Sequence, residues 1–306
     1  MPELPEVQTT INGLKKYITG LIIKEVWTNY NSPYFKGSET IKDPAYFKHF
    51  KKEILGKKII AIERRAKNIL MNLSGNKTIL VHMKMTGHLL YGRYRFNVAN
   101  SNDPWEPLEP ESLKDPFNKR VRFVITFNNK RHLALSDTRK FAKVAVVDSD
   151  QIHQSVHLND LGPEPLDKAF TFEVFQNRLG LKPNGKIKQV LTDQTILSGI
   201  GNIYADESLW HSGINPLQKI RDISKAGSLK LFRAIKELLA KGVDLGGDSM
   251  SDYRNVDGSK GKFQLHHQAY QRTGEKCLKR GCKGKIRRIV VGGRATHYCS
   301  GHQKPE

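Results

Sequence analysis

The residues best suited to chemistry lie near the two ends of this 306-residue chain. At the start, Met1 is followed by Pro2-Glu3-Leu4-Pro5-Glu6. Pro2 is small, so removal of the initiator methionine would leave a free secondary amine. Such an amine can attack an electrophilic carbon, a sugar C1′ for instance, and form an iminium directly. An α-amino group titrates near pH ~7.7–8.0, so a useful fraction is neutral at physiological pH. Glu3 and Glu6 set carboxyl groups beside it for proton transfer. Taken alone, the same pentapeptide reads more simply as the lead-in to a helix.

At the other end, Cys277, Cys282, Cys299 and His302 form a C-x4-C-x16-C-x2-H pattern holding every cysteine of the chain. A structural zinc ion takes four tetrahedral ligands from thiolate and imidazole. Two close pairs with a hairpin-sized spacer supply them, so one structural Zn2+ is expected. His297, His266 and His267 compete with His302 for the fourth position. Between the pairs, 286–291 and 294–298 read as strands joined at Gly292-Gly293, a two-residue hairpin signal.

These groups need elements to carry them. Residues 6–18 have the spacing of an amphipathic helix. Short runs rich in Val, Ile and Phe at 21–27, 58–62, 78–83, 122–127 and 144–147 read as strands of a sheet-rich unit. The stretch 98–118, punctuated by Pro104, Pro107, Pro110 and Pro116, reads as a surface loop. Beyond about 160 the period changes, and 170–179, 187–192, 204–211 and 223–239 read as helices. A Gly-rich stretch at 242–261 leads into the cysteine module. The class is therefore α+β, with expected domains at 1–150, 151–246 and 247–306.

Charge narrows the partner. Against 30 Asp and Glu stand 51 Lys and Arg, a formal net charge of +21, and residues 271–306 alone carry ten Lys or Arg against two Glu. A polyanion is the natural counterpart, nucleic acid first and an acidic membrane surface second. No apolar run reaches the ~18 residues of a transmembrane helix. The start has no basic segment followed by an apolar one, and three cysteines do not make a disulfide scaffold. An intracellular protein, cytoplasmic or nucleoid-associated and not secreted, is expected.

Five motifs in order then carry a resemblance. Pro2-Glu3-Leu4-Pro5-Glu6-Val7, Arg64-Arg65-Ala66-Lys67, Leu161-Gly162-Pro163-Glu164-Pro165-Leu166, Gly201-Asn202-Ile203-Tyr204-Ala205-Asp206-Glu207 and the terminal finger span nearly the whole chain. Together they resemble the formamidopyrimidine-DNA glycosylase (Fpg) family. The resemblance implies a β-sandwich domain with an N-terminal helix, a helical H2TH domain, a zinc-finger hairpin, and DNA lying between the halves. It implies a monomeric enzyme of base excision repair acting on double-stranded DNA with oxidised bases or abasic sites. Oxidised purines would be removed through a Schiff base on Pro2, and the strand cut by β,δ-elimination.

By the same resemblance, Glu3 assists base loss and sugar-ring opening, Glu6 supports the pocket, and Lys67 contacts a flanking phosphate. Arg294, on the finger hairpin, grips phosphate. Met85, Arg139 and Phe141 match the triad that fills the void left by an extruded base; extrusion costs a few kcal/mol of stacking and pairing. Asn202, at a Gly-rich helix start, adds a phosphate donor. Asn118, Lys182 and Tyr270 complete the implied DNA contacts, and 247–253 resembles a loop that closes over the extruded base.

The chain departs from the family pattern in four places. Asp137-Thr138-Arg139-Lys140-Phe141-Ala142 replaces Asp-Pro-Arg-Arg-Phe-Gly, and the finger has C-x4-C and C-x2-H instead of two C-x2-C pairs. Lys182-Pro183-Asn184-Gly185-Lys186 replaces a more uniformly basic stretch, and the loop 98–118 is longer. Two alternatives follow: an endonuclease VIII-like glycosylase for oxidised pyrimidines, or a non-enzymatic H2TH and zinc-finger nucleic-acid binder. Leu4 and the Arg139/Phe141 pair argue against the first; Pro2-Glu3 with Lys67 argues against the second.

Overall fold

The computed structural model describes residues 1–30, 32–155 and 158–304. The chain forms two compact units, Met1–Asn159 with Gly246–Lys262, and Asp160–Leu245 with Phe263–Glu306. The segment Gly246–Lys262, grouped with the finger on sequence, thus belongs to the first unit. The reason is local: Val256 joins that unit's hydrophobic core, and the Tyr91 N–H donates to its carbonyl at 2.7 Å.

The first unit opens with α1 (Leu4–Ile18). Leu4, Val7, Ile11, Leu14 and Ile18 recur at three- and four-residue steps and are all buried. Each such side chain contributes about 1.5–3 kcal/mol on burial. There follow β1 (Ile23–Thr28), α2 (Pro44–Ile54), β2 (Ile59–Arg65), β3 (Asn68–Leu73), β4 (Lys77–His82), β5 (His88–Phe96), β6 (Trp105–Glu109), β7 (Val121–Phe127), β8 (His132–Ser136) and β9 (Lys143–Asp148). They build two antiparallel sheets, ordered β1-β7-β8-β5-β6 and β2-β3-β4-β9. One apolar core joins both sheets with the buried face of α1, which is the expected sandwich.

The stretch 98–118 is more than a surface loop. Its β6 pairs with β5 and extends the five-stranded sheet, and short 3₁₀ turns follow at Glu111–Lys114 and Pro116–Asn118. Trp105 and Leu113 form a second small core with Leu90, Tyr94 and Val124 on the sheet's other face. The prolines hid this: Pro107 and Pro110 forgo backbone donors, which only an edge strand tolerates.

The second unit contains α3 (Phe172–Gly180), α4 (Ile187–Thr192), α5 (Asn202–Ser212) and α6 (Lys225–Asp244), then the hairpin β10 (Ile286–Val291) and β11 (Arg294–Cys299). Helices α5 and α6 approach closely at Gly242, where an added Cβ would lie 2.4 Å from the Tyr204 hydroxyl oxygen. The hairpin turns at Gly292 and Gly293, with φ of 56° and 75°, the left-handed pair that a type I′ turn requires.

Candidate active site

Glu3 directly precedes α1, so the helix starts two residues earlier than the sequence spacing suggests. Pro2, Glu3 and Glu6 are all buried. Glu6 folds back on the first turn, its Oε2 accepting the Glu3 N–H at 2.7 Å. Its Oε1 accepts the Asp248 N–H at 2.8 Å, and its backbone carbonyl accepts from the Tyr253 hydroxyl at 2.9 Å. Burial, then the charge of Glu3, pushes the Glu6 carboxyl up to about 7, against the lowering effect of those two N–H bonds. A carboxyl poised there can hold or release a proton near neutral pH.

Met1 lines a cavity of about 580 Å³ together with Tyr30, Lys42, Met85, Arg139 and Phe141. All three triad residues therefore meet where the chain begins. Met85 and Phe141 are 42% and 45% exposed, unusual for large apolar side chains, and the Arg139 guanidinium lies 4.5 Å over the Phe141 ring.

The two loops carrying the triad are tied together by Asp137, which is fully buried. Its carboxylate accepts from the Thr86 hydroxyl, from the Tyr30 hydroxyl at 2.7 Å and from the Ala142 N–H at 2.8 Å. Thr86 in turn accepts the Arg139 N–H at 3.1 Å. The loop thus has a fixed frame without the proline of the family pattern. Lys42, not identified on sequence, reaches the Lys140 carbonyl at 2.7 Å and lies over the Tyr30 and Phe35 rings. Only its three-dimensional setting distinguishes it among the chain's many lysines.

Lys67 is buried at the β2–β3 turn, where Ala66 has a φ of 54°. Arg64 holds that turn, donating to the Ala66 carbonyl and to Gln8 on α1. His82 is driven down to about 3 by burial first and then by the charges of Lys84, Lys67 and Lys143, so it remains neutral beside a gathering of cations. That cationic surface suits a phosphate. Asn118 is different. It is 3% exposed, and its amide is engaged with the Ser112 and Gly258 carbonyls and with His88 Nε2. These bonds give it a role in local structure beside the DNA contact expected of it.

In the second unit, α5 organises the finger. Asn202 Nδ2 donates to the Ala295 carbonyl at 2.8 Å, so this expected phosphate donor also docks the hairpin. One turn on, Asp206 takes the Lys188 ammonium on one oxygen and both the His297 N–H, at 2.8 Å, and its Nδ1, at 3.0 Å, on the other. Glu207 accepts three consecutive N–H groups, from Gln268, Ala269 and Tyr270. Both residues belong to the Gly201–Glu207 motif, but nothing in the local sequence marks them as anchors, since the backbone groups they hold lie 61 to 91 residues away. Arg294 is exposed at the start of β11, Lys182 is exposed at 3.8 Å from Asp193, and the half-buried Tyr270 ring meets His267 and His297 edge-on.

The ligand atoms of Cys277, Cys282, Cys299 and His302 all lie within 4.8 Å of one another. His302 Nδ1 faces the Cys277 and Cys282 sulfurs at 3.5 and 3.7 Å, while Nε2 lies 3.0 Å from the Trp210 carbonyl. That outer bond orients the ring as metal-bound imidazoles require. Among the described residues His302, and none of its three competitors, completes the set, and the donors suit a metal ion.

Residues 1–144 match the model of the formamidopyrimidine-DNA glycosylase N-terminal domain, and 161–254 that of its H2TH domain. A formamidopyrimidine-DNA glycosylase of Herpetosiphon aurantiacus is 36% identical over 98% of both chains. One of Heliobacterium modesticaldum is 33% identical over 99% of this chain and all of its own. Among solved structures, Lactococcus lactis Fpg in complex with abasic-site DNA is 31% identical with a TM-score of 0.80, covering 97% of each chain. MutM in complex with carbocyclic 8-oxo-G containing DNA is 31% identical with a TM-score of 0.79, covering 97% of this chain and 98% of its own.

Proposed function

Because the chain belongs to the formamidopyrimidine-DNA glycosylase family, we propose that it is a bifunctional glycosylase and abasic-site lyase for oxidised purines, with Pro2 as nucleophile. The observation that carries this reading is the cavity at the chain's start, lined by Met1, Met85, Arg139 and Phe141. Loss of Met1 would bare the Pro2 amine beside the groups suited to fill an emptied base position.

The amine lone pair attacks C1′ of the damaged nucleotide. The glycosidic bond breaks, its electron pair leaves with the base, and an acid returns a proton. Glu3 supplies the acid function, opening of the sugar ring gives the iminium, and Glu6 stabilises the start of α1. Elimination on both sides of the sugar leaves a one-nucleotide gap, and water releases Pro2. Lys67 and Arg294 neutralise phosphates; Phe141 wedges, Met85 fills space, and Arg139 bonds the orphaned base. Lys182, Asn202 and Tyr270 add contacts in the second unit. Bound at Cys277, Cys282, Cys299 and His302, a zinc ion would have four protein ligands and so a structural role, holding the hairpin that carries Arg294.

Double-stranded DNA is the proposed partner, and binding should weaken steeply with salt as counterions are released. Among the described residues no helix is long and apolar enough to cross a membrane. Borohydride trapping on a duplex containing 8-oxoguanine tests the reading, with intact mass to establish loss of Met1. A covalent adduct that disappears in Pro2→Gly is expected. Absence of an adduct from protein with a confirmed free Pro2 would overturn the proposal. Faster cleavage of a thymine-glycol duplex would overturn the purine assignment.

A further inference from the structure

The long stretch 98–118 has no place in the chemistry above, yet the structure ties it to the segment that contacts Glu6. Arg254 is the link. It is 1% exposed, and its Nη1 donates at 2.8 Å to the backbone carbonyls of both Ser251 and Tyr253. The other side of the guanidinium meets Asp115, with Nη2 at 3.3 Å from Oδ1 and Nε at 3.3 Å from Oδ2. Its face lies 4.4 Å from the Phe117 ring centre. Asp115 also accepts the Phe117 N–H at 2.9 Å, so one carboxylate fixes the 3₁₀ turn and the arginine together.

A second set of contacts lies just beyond. The Ser112 hydroxyl donates to the Asp257 carbonyl, and the Asn118 amide spans the Ser112 and Gly258 carbonyls. Gly258 has a φ of 85°, and a Cβ there would stand 2.7 Å from the Ser112 backbone, so the two strands of chain touch. The loop is also pinned to Glu6 at both of its ends, the Asp248 N–H on the carboxylate and the Tyr253 hydroxyl on the backbone carbonyl. Between these anchors the tip is open, with Met250 43% exposed and Ser251 exposed.

We infer that residues 105–118 act as a brace, through Asp115, Phe117 and Arg254, that sets the position of the loop 248–253 against Glu6, making Asp115 and Arg254 positioning residues for base excision. The proposal rests on the assignment of Pro2, Glu3 and Glu6 to the reaction. Its physical content is geometric. Arg254 holds two carbonyls of the loop's last turn, and an arginine held by carboxylate and ring on its other edges cannot move without breaking the ion pair. With Arg254 in place the Ser251 and Tyr253 carbonyls are held as well and the tip stands in one position; with the two Glu6 bonds alone, the stretch between them samples more. Base removal, which needs the extruded base enclosed, depends on that placement. Schiff-base formation at a preformed abasic site has no base to enclose and does not.

The test uses the full-length protein with Met1 removed. Asp115→Asn and Asp115→Glu are compared with wild type for single-turnover excision of 8-oxoguanine, for borohydride trapping on a preformed abasic-site duplex, and for amide exchange of residues 248–258 without DNA. Asp115→Asn should slow excision five- to tenfold, leave trapping within twofold and speed exchange of the Asp248 amide at least fivefold. Asp115→Glu should restore most of the excision rate. Unchanged excision and unchanged exchange overturn the brace. So does a parallel fall in trapping and excision, which would make the effect one of general folding. Failure of wild type itself to trap would overturn the Pro2 assignment instead, and the exchange measurement, which needs no DNA, keeps the two outcomes distinct. Arg254→Met provides a second variant from the other side of the contact, with the same expected split.

Discussion

Two buried carboxylates, Asp206 in the second unit and Glu6 in the first, are held in opposite ways. In the second, Asp206 and Lys188 are both fully buried and paired, and His297 completes the network. That network locks α4, α5 and β11 together. In the first unit, Glu6 is bonded by backbone N–H groups and crowded by Glu3, so burial and repulsion favour its protonated form. Asp206 thus sits in a closed pair, whereas the region assigned to chemistry holds a carboxyl that can change state near neutral pH. A strongly perturbed carboxyl beside a cavity-lining chain start is a functional-site candidate.

The largest effect should come from breaking the second unit's metal set. Structural zinc is worth about 10–16 kcal/mol in isolated finger peptides. Cys282→Ser should abolish stoichiometric zinc, unfold the hairpin and lower DNA affinity at least a hundredfold. Metal content and filter binding check this, and retained zinc at one ion per chain would contradict the ligand set. Next is the ion network. Lys188→Met leaves a buried carboxylate without its ammonium, a change that costs about 3–5 kcal/mol. Urea unfolding should show this loss, and Lys188→Met with Asp206→Leu should be less damaging than Lys188→Met alone, since no charge is then stranded.

The elements that carry this contrast were unevenly legible in the sequence. The helix 187–192, the hairpin at Gly292-Gly293 and the metal set were legible because each depends on local spacing. Strands β3, β5, β6 and β8 and helix α2 were not. β3 is buried on both faces and so lacks the alternation that marks a half-exposed strand. α2 carries three lysines and a histidine in eleven residues, which masks its buried Phe50 and Ile54. At the site, Pro2, Glu3 and Glu6 could be named from their motif. Asp137, Arg254 and Asp206 could not be seen as anchors, because their partners lie tens to over a hundred residues away.

The first unit's contribution is smaller and carries a pH signature. Glu6 ordinarily titrates near 4.5 and is pushed to about 7 when folded. The folded chain therefore binds this proton more tightly than the unfolded chain. Its contribution to stability is fully present below 4.5 and is lost as pH rises through 7. At roughly 1.4 kcal/mol per unit, the loss is at most about 3–4 kcal/mol. Wild type minus Glu6→Gln, measured by urea unfolding from pH 4 to 8, should fall across that window. A flat difference would remove the distinction drawn between the two units.

The smallest expected effect separates positioning from chemistry within the first unit. Tyr30→Phe removes one of the three donors to Asp137 and leaves the Thr86 and Ala142 bonds in place. A single hydrogen bond to a charged group is worth about 1.5–3 kcal/mol, and the carboxylate keeps two others, so a loss near the lower end is expected. Because Asp137 frames the loops of Met85 and Arg139, excision from a paired duplex should slow severalfold. A lesion already mispaired needs less wedging and should be affected less. The ratio of the two rates is the measurement: a ratio unchanged from wild type would place Tyr30 in the fold alone, whereas a shift toward the mispaired substrate would tie the buried carboxylate to base extrusion.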